Sequence, residues 1–248
     1  MDFQKISSKN FSDLTKSNKK NSTELAGRFA KDEGCELSIF NDILEKLELH
    51  NAKNILDIGC GCGPLSDFII DYCKNKNINL IMLDISEVVS NIKAKHKESD
   101  RFRLIDGVFP VEKLQGYKFD SILLYSVVQY SNDPMEFIQR AYELLDIQGR
   151  MFIGDIPNID KKARFLMSKK GMEFESNYQG IEIDQLYKFS SYDEFRAYTG
   201  QNIQINDAFI LEVIKRYRSK FSNAYILEEP MSLPFCHTRE DVIIERLQ

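Results

Sequence analysis

No apolar run in this sequence approaches the roughly 20 residues that cross a bilayer, and Met1 to Lys20 is polar, without the apolar core of a signal peptide. A cytoplasmic protein with no membrane partner is expected. Surplus positive charge is also missing. The 33 basic and 38 acidic residues leave a net charge of -5, which argues against a general nucleic-acid-binding surface. Cysteine is sparse and odd in number, five in all, so free thiols are expected rather than a disulfide framework. The Cys60-x-Cys62 pair has no second pair at zinc-finger spacing, and no metal is expected. With only three histidines, a base that titrates near neutrality has few candidates.

What is present suits a globular α/β chain. Its 248 residues, 43% hydrophobic and 29% charged, fit one α/β domain with an elaboration, or two small domains. The abundance of Lys, Asn and Ile fits an AT-rich bacterial genome. The chain is organised around Asn54-Ile-Leu-Asp-Ile-Gly-Cys-Gly-Cys-Gly-Pro64. Ile55, Leu56 and Ile58 suit a buried parallel strand. Gly59, Gly61 and Gly63 let the backbone turn sharply and come close to a ligand, and Pro64 suits the first turn of a helix. A Rossmann dinucleotide fingerprint needs its third glycine where Pro64 stands, so a nicotinamide or flavin dinucleotide is disfavoured. No Gly-Lys-Ser/Thr follows, which excludes a Walker loop.

From this stretch onward strand and helix patterns alternate. The periodicity predicts strands over 54–58, 79–84, 101–106, 119–125 and 149–154, with helices over 64–74, 86–97 and 134–146. This is a doubly wound, mainly parallel α/β sheet. In such a sheet ligands lie beyond the carboxyl ends of the strands. Ahead of it, Ser22–Phe29 and Glu36–Leu49 read as helices. Behind it, 158–205 is a polar, aromatic-rich segment with one helix over 192–199. A last helix, 207–220, leads to two closing strands beginning near Ala224 and Asp241.

With Asp57 two positions before the first glycine, the glycine stretch resembles motif I of class I S-adenosylmethionine (SAM)-dependent methyltransferases. The resemblance extends over 54–155. It implies a seven-stranded Rossmann-like sheet with an antiparallel last strand and a helical cap, divided into a helical arm (1–50), a SAM-binding core (51–157), a substrate cover (158–205) and closing elements (206–248). It also implies that SAM is the cofactor and S-adenosylhomocysteine (SAH) the product. Asp57, Gly59, Gly61 and Gly63 would hold the methionine end, and Asp84 with Ile85 the ribose. Asp84 could instead cap the helix at Ser86, a role Ser86 fills better itself. Asp106-Gly107 would receive the adenine amino group, or would form a plain turn. Tyr125 lies at the fourth strand's end, and Arg28 would approach the SAM carboxylate from the leading helices, unless it is simply solvated beside a core Phe29.

The acceptor side has fewer signals. The resembling family often carries a polar or histidine pair after its fourth strand. Here the pair is Gln129-Tyr130, which leaves Gln129 as a positioning donor and Tyr130 as an aromatic wall, a weak acid or a core residue. Asp155, at the fifth strand's end, is a candidate acceptor-site base or the N-cap of a helix beginning near Lys161. Leu233-Pro-Phe-x-His237-x-Arg239-x-Asp241 resembles the closing loop of methyltransferases associated with bacterial surface polysaccharide synthesis. If carried over, it makes His237 a base and Arg239 a holder of an anionic acceptor group; the alternative is a solvated loop. The expected activity is methyl transfer to an oxygen or nitrogen of a small molecule. The competing classes are a SAM- or SAH-binding sensor or subunit, and a polyamine-forming aminopropyltransferase, whose acid-rich amine pocket is missing from Ser126–Tyr130.

Overall fold

The strands are apolar on both faces because both faces of the sheet are covered. The computed structural model describes residues 34–199, 205–233 and 235–248, together with Lys9 and Asp13. Arg28, Phe29 and the helix expected over Ser22–Phe29 lie outside the described residues.

Seven strands form one sheet in the order β3-β2-β1-β4-β5-β7-β6. They are β1 (Asn54–Ile58), β2 (Asn79–Asp84), β3 (Phe102–Asp106), β4 (Phe119–Tyr125), β5 (Leu145–Pro157), β6 (Ser222–Leu227) and β7 (Arg239–Arg246). β1 to β5 pair in parallel, and β7 runs antiparallel to both β5 and β6. The strand order reverses between β1 and β4, which opens a crevice at their carboxyl ends.

One face is covered by α1 (Glu36–Lys46), α2 (Pro64–Lys76) and α3 (Ser86–Lys95). There Ile43, Ile69, Ile70 and Ile92 pack on Ile55, Leu80, Met82 and Phe152. The other face is covered by α4 (Pro134–Leu144) and α8 (Asp207–Arg218), where Phe137, Ile138, Val213 and Tyr217 meet Leu56, Ile122, Met151 and Ile244. Helix ends follow their sequence signals. Pro64 opens α2, and Asn77 closes it in the left-handed region. Asp133 accepts the Glu136 N–H at the start of α4.

Several boundaries differ from expectation. α4 stops at Leu144, and β5 is longer than predicted because its first residues already pair, Leu145 with Phe119 across a register shift. The 158–205 segment contains α5 (Ile159–Leu166), where a helix near Lys161 is one reading of the sequence, the expected α7 (Tyr192–Thr199), and between them an unexpected α6 (Lys169–Gln179). α5 is capped by Asn158, whose side chain accepts from the Asp160 and Lys161 N–H groups. Asp155 is therefore not its N-cap. These short polar helices bury only a small apolar cluster, Ile159, Ala163 and Phe195, which is why their periodicity is weak in the sequence.

Candidate functional site

At the end of β1 the chain must turn away from the sheet, and the glycines supply the turn. Gly59 and Gly61 have φ of +74° and +62°, conformations that carry a penalty of about 1–2 kcal/mol for a residue with a Cβ. A Cβ at Gly59 would stand 2.3 Å from Val127 Cγ2, whereas one at Gly61 would point into open space. The loop is tied from two sides. Gly61 N–H donates to Asp84 Oδ2 at 2.8 Å. Ser66, fully buried on α2, donates its hydroxyl to the Cys60 and Gly61 carbonyls, with distances of 2.7 and 2.9 Å.

The loop forms the floor of a cleft at the switch point between β1 and β4. Asp57, Gly59, Gly61, Gly63, Asp84, Ile85, Gly107, Tyr125 and Tyr130 all line it. Every described cofactor candidate except Asp106 therefore reaches it, with one acceptor candidate, Tyr130. The residues missed by sequence reasoning are Ser66 and the apolar wall of Val88, Val108, Phe109 and Phe137. Ser66 has a readable signal, a small hydroxyl in the first turn after a glycine loop; the apolar wall has none.

Charge in the cleft is of one sign. Two carboxylates, Asp57 and Asp84, line it, and no Lys, Arg or His does so among the described residues. Asp57 is 2% exposed. Burial, reinforced by the Asp84 charge, pushes its carboxyl up to about 8. Burial also pushes Asp84 up to about 6, against the pull of the Gly61 and Ile85 N–H donors. Asp84, ionised at neutral pH, and Asp57, whose ionisation a nearby cation would promote, favour a ligand that brings positive charge. Among the described residues no group of three or more His, Cys, Asp or Glu side chains could hold a metal ion.

Asp106 is not brought to the cleft. Gly107 N–H donates to the Asp84 carbonyl at 2.9 Å, and the turn carries Gly107, Val108 and Phe109 inward. The Asp106 carboxylate faces solvent, 2.9 Å from Lys113 Nζ, whose hydrogen bond holds it below the usual carboxylate range. The cleft wall here is thus made of Gly107, Val108 and Phe109 rather than this carboxylate.

Gln129, Asp155, His237 and Arg239 are also absent from the cleft lining. Gln129 Nε2 donates to Ser126 Oγ at 3.2 Å, so the expected donor is engaged, and its buried Oε1 is left without a hydrogen-bond partner. Asp155 is a close neighbour of the cleft. Gly154 pairs with Tyr125 in the sheet and accepts the Ser126 N–H at 2.9 Å. Asp155 itself adopts φ +54° at a register shift between β5 and β7. Its N–H donates to Asp241 Oδ1 at 2.9 Å, and its carboxylate faces Arg239 Nε at 3.4 Å.

Behind Asp155 lies a network absent from the sequence reading. Asp241 is fully buried and ion-paired with Lys46, which also binds Asp42 and the Glu228 carbonyl, both at 2.8 Å. Burial opposes the Lys46 charge, but Asp241 and Asp42 outweigh it and hold the ammonium above its ordinary value. Glu229, 5% exposed, has its carboxyl pushed well above the carboxylate range by burial and by Asp155 and Asp241. His237 stacks on Phe165 at 4.3 Å between ring centroids and meets Phe174 edge-on.

Residues 56–151 match the model of a family described as a methyltransferase domain. A malonyl-[acyl-carrier protein] O-methyltransferase of Ilyobacter polytropus is 30% identical over 173 residues, covering 65% of this chain and 58% of that protein. A ubiquinone biosynthesis O-methyltransferase of Pelagibacter ubique is 32% identical over 109 residues, or 44% of this chain and 43% of its own. The chain therefore spans between about two fifths and three fifths of the length of these relatives. Among solved structures, the plantazolicin methyltransferase BpumL in complex with SAH shares the fold over 99% of both chains, with TM-score 0.61 and 12% identity. The N-methyltransferase NodS from Bradyrhizobium japonicum, also in complex with SAH, covers 97% of this chain and 98% of its own, with TM-score 0.57 and 11% identity.

Proposed function

We propose that this chain, whose residues 56–151 form a methyltransferase domain of class I fold, is a SAM-dependent methyltransferase acting on an oxygen or nitrogen of a small molecule. The observation that carries the reading is the Asp84 carboxylate, which closes the glycine loop and lines a cleft bearing acids and, among the described residues, no cations. Such a cleft fits SAM, which carries a positive sulfonium. Asp57 and the loop of Gly59, Gly61 and Gly63 would hold its methionine end. Asp84 and Ile85 would hold the ribose, and Gly107, Val108 and Phe109 the adenine. Arg28 is assigned to the carboxylate from the arm. When bound, SAM supplies an electrophilic methyl group.

The residues of the chain then align an acceptor for in-line attack, an effect that can contribute about 7–11 kcal/mol. Tyr130 walls the cleft, and Gln129 is a positioning donor, its Nε2 holding the cleft-lining Ser126 through the hydroxyl. Asp155 orients the acceptor, and His237 takes its proton. Burial and the cations Lys170 and Lys161 hold His237 below its ordinary value, so its imidazole is neutral and able to accept a proton at neutral pH. Arg239 holds an anionic group of the acceptor. Residues 158–205 are assigned as the substrate cover and 1–50 as the helical arm.

The finer reading is that the acceptor is a carbohydrate, or an activated anionic precursor of one, for bacterial surface polysaccharide in the cytoplasm. It rests on the loop from Leu233 to Asp241, since the relatives above are named for other acceptors. No helix among the described residues is long and apolar enough to cross a membrane, and no partner other than the small-molecule acceptor is assigned. The test is incubation with methyl-labelled SAM and a bacterial metabolite and sugar-nucleotide pool. Label in a small-molecule fraction supports the reading. SAM binding with no transfer would favour a sensor or subunit instead.

A further inference from the structure

Charge beside the cleft is divided between two elements. Where β5 and β7 meet, burial and the carboxyls of Asp155 and Asp241 raise that of Glu229, in the loop after β6. Across from them, on the helices inserted after β5, the field is positive. Each charge that shifts the half-buried His237 is a cation, Lys170 and Lys161. Lys162, partly buried on α5, has its ammonium lowered by burial and by Arg239, with Glu175 opposing only weakly. Lys162 makes no ion pair among the described residues, whereas Lys161 is tied to the Arg239 carbonyl and to Glu240, at 3.2 Å. Arg239 is the hinge between the two regions. Its guanidinium meets Asp155 at 3.4 Å, lies 5.4 Å over the Phe235 ring, and is close enough to Lys162 to repel its charge.

Two cations that repel each other beside aromatic faces leave favourable electrostatic energy to be gained by an anion between them. Phe165, three residues after Lys162 on α5, stacks on His237, two residues before Arg239, and Phe174 meets the same imidazole edge-on. All five of these side chains are partly exposed, so an incoming group can reach them. Asp155 meets Arg239 Nε at 3.4 Å and follows Gly154, the sheet partner of the cleft-lining Tyr125.

We propose that Lys162 and Arg239, flanked by the Phe165–His237 stack, form a subsite for an anionic group, a carboxylate or a phosphate, carried by the methyl acceptor some distance from its nucleophilic atom. The assignment rests on the methyltransferase reading for its role and adds to it Lys162 and a requirement for a charged acceptor. Both anions share the chemistry that a lysine point charge and an arginine fork recognise. A neutral acceptor would leave the two cations facing each other.

The chain has only three histidines, which supplies an internal reporter. His50 is exposed, and His96, just after α3, is bound to Asp67 on α2 at 2.8 Å. The experiment is to follow the histidine ring resonances of the 15N-labelled full chain, saturated with SAH, at constant ionic strength. Malonate is titrated in one arm and methyl phosphate in the other. At least one anion should displace the His237 signals saturably and raise its titration midpoint, leaving His50 and His96 unmoved. The arm that responds identifies carboxylate or phosphate. Lys162→Ala and Arg239→Ala should each weaken the response tenfold or more, Lys162→Arg should restore it, and Lys97→Ala on the exposed end of the α3 segment should leave it unchanged. No saturable response in either arm, or an equal response in Lys162→Ala, overturns the subsite. SAH binding is measured on the same samples: retained SAH binding without an anion response defeats the subsite alone, and loss of SAH binding defeats the methyltransferase reading.

Discussion

Asp84 reaches back from the end of β2 to accept the Gly61 N–H at 2.8 Å, while its other oxygen accepts the Ile85 N–H at 2.7 Å. One carboxylate thus shapes the loop after β1 and faces the ligand cleft. Asp84→Ala should weaken SAM by roughly 2–4 kcal/mol, about 30- to 1000-fold, through lost charge-assisted bonds. Asp84→Asn keeps an oxygen for Gly61 and should lose less. Calorimetry on the folded variants checks both, and a change under threefold in Asp84→Ala would remove it from the site.

The two left-handed glycines should separate folding from binding. In Gly59→Ala the new methyl meets Val127 at 2.3 Å, and strain and overpacking together should cost about 2–5 kcal/mol of stability. Gly61→Val has no neighbour to strike, so its folding penalty is the φ strain alone, while its side chain occupies cleft space. Denaturant unfolding beside SAM titration reads the contrast. Equal loss of stability in both variants would contradict it.

Much of this was legible in the sequence because it depends on local chemistry. Alternating apolar strands, glycines after β1, and acids at the ends of β1 and β2 are short-range signals, and each lies close to its expected position. Asp106 was misplaced because a strand-end acid in a sequence does not reveal which way the following turn rotates it, and Lys113, seven residues on, takes it outward. The Lys46–Asp241 pair joins residues far apart in the chain. No periodicity reports such a contact. The short helix α6 was hidden because its apolar face is narrow, and its cap at Ser168 sits in a segment with many other turn-forming residues.

Lys46 is the sole ion-pair partner of the fully buried Asp241 among the described residues. Lys46→Met should therefore destabilise the fold by about 3–5 kcal/mol, the cost of leaving a buried charge unpaired. Adding Asp241→Asn should recover part of that loss, since the uncompensated charge goes with it. A double-mutant cycle in urea measures the coupling, and simple additivity would contradict the pairing.

Asp57 makes apo stability depend on pH. Its folded carboxyl stands at about 8, above the unfolded value of about 3.9, so the folded state binds the extra proton. This contribution is complete below pH of about 4 and is lost as pH rises toward 8. Asp57→Asn should flatten that decline, raising the apo melting temperature at pH 8 relative to wild type while lowering SAM affinity. Melting curves from pH 5 to 8 test the sign; a steeper decline in the variant would contradict it.

His237→Ala should lower turnover by about 10²–10⁴ and leave SAM affinity nearly unchanged, because the imidazole lies outside the cleft lining. Wild-type rate should rise with pH through a midpoint below the ordinary histidine value, since burial and its lysine neighbours lower it, and the base must be unprotonated. Steady-state kinetics with the acceptor found by label transfer checks both. Unchanged turnover shifts proton removal to Asp155 or to alignment alone.

The central claim is that the acid-lined cleft after β1 takes SAM rather than a dinucleotide, and calorimetry of the full chain with SAM, SAH and NADH tests it most directly. The account predicts micromolar binding of SAM and SAH, no heat with NADH, and SAM affinity that strengthens as pH rises through the Asp84 and Asp57 range of about 6 to 8. Tight NADH binding with no SAM signal would contradict it.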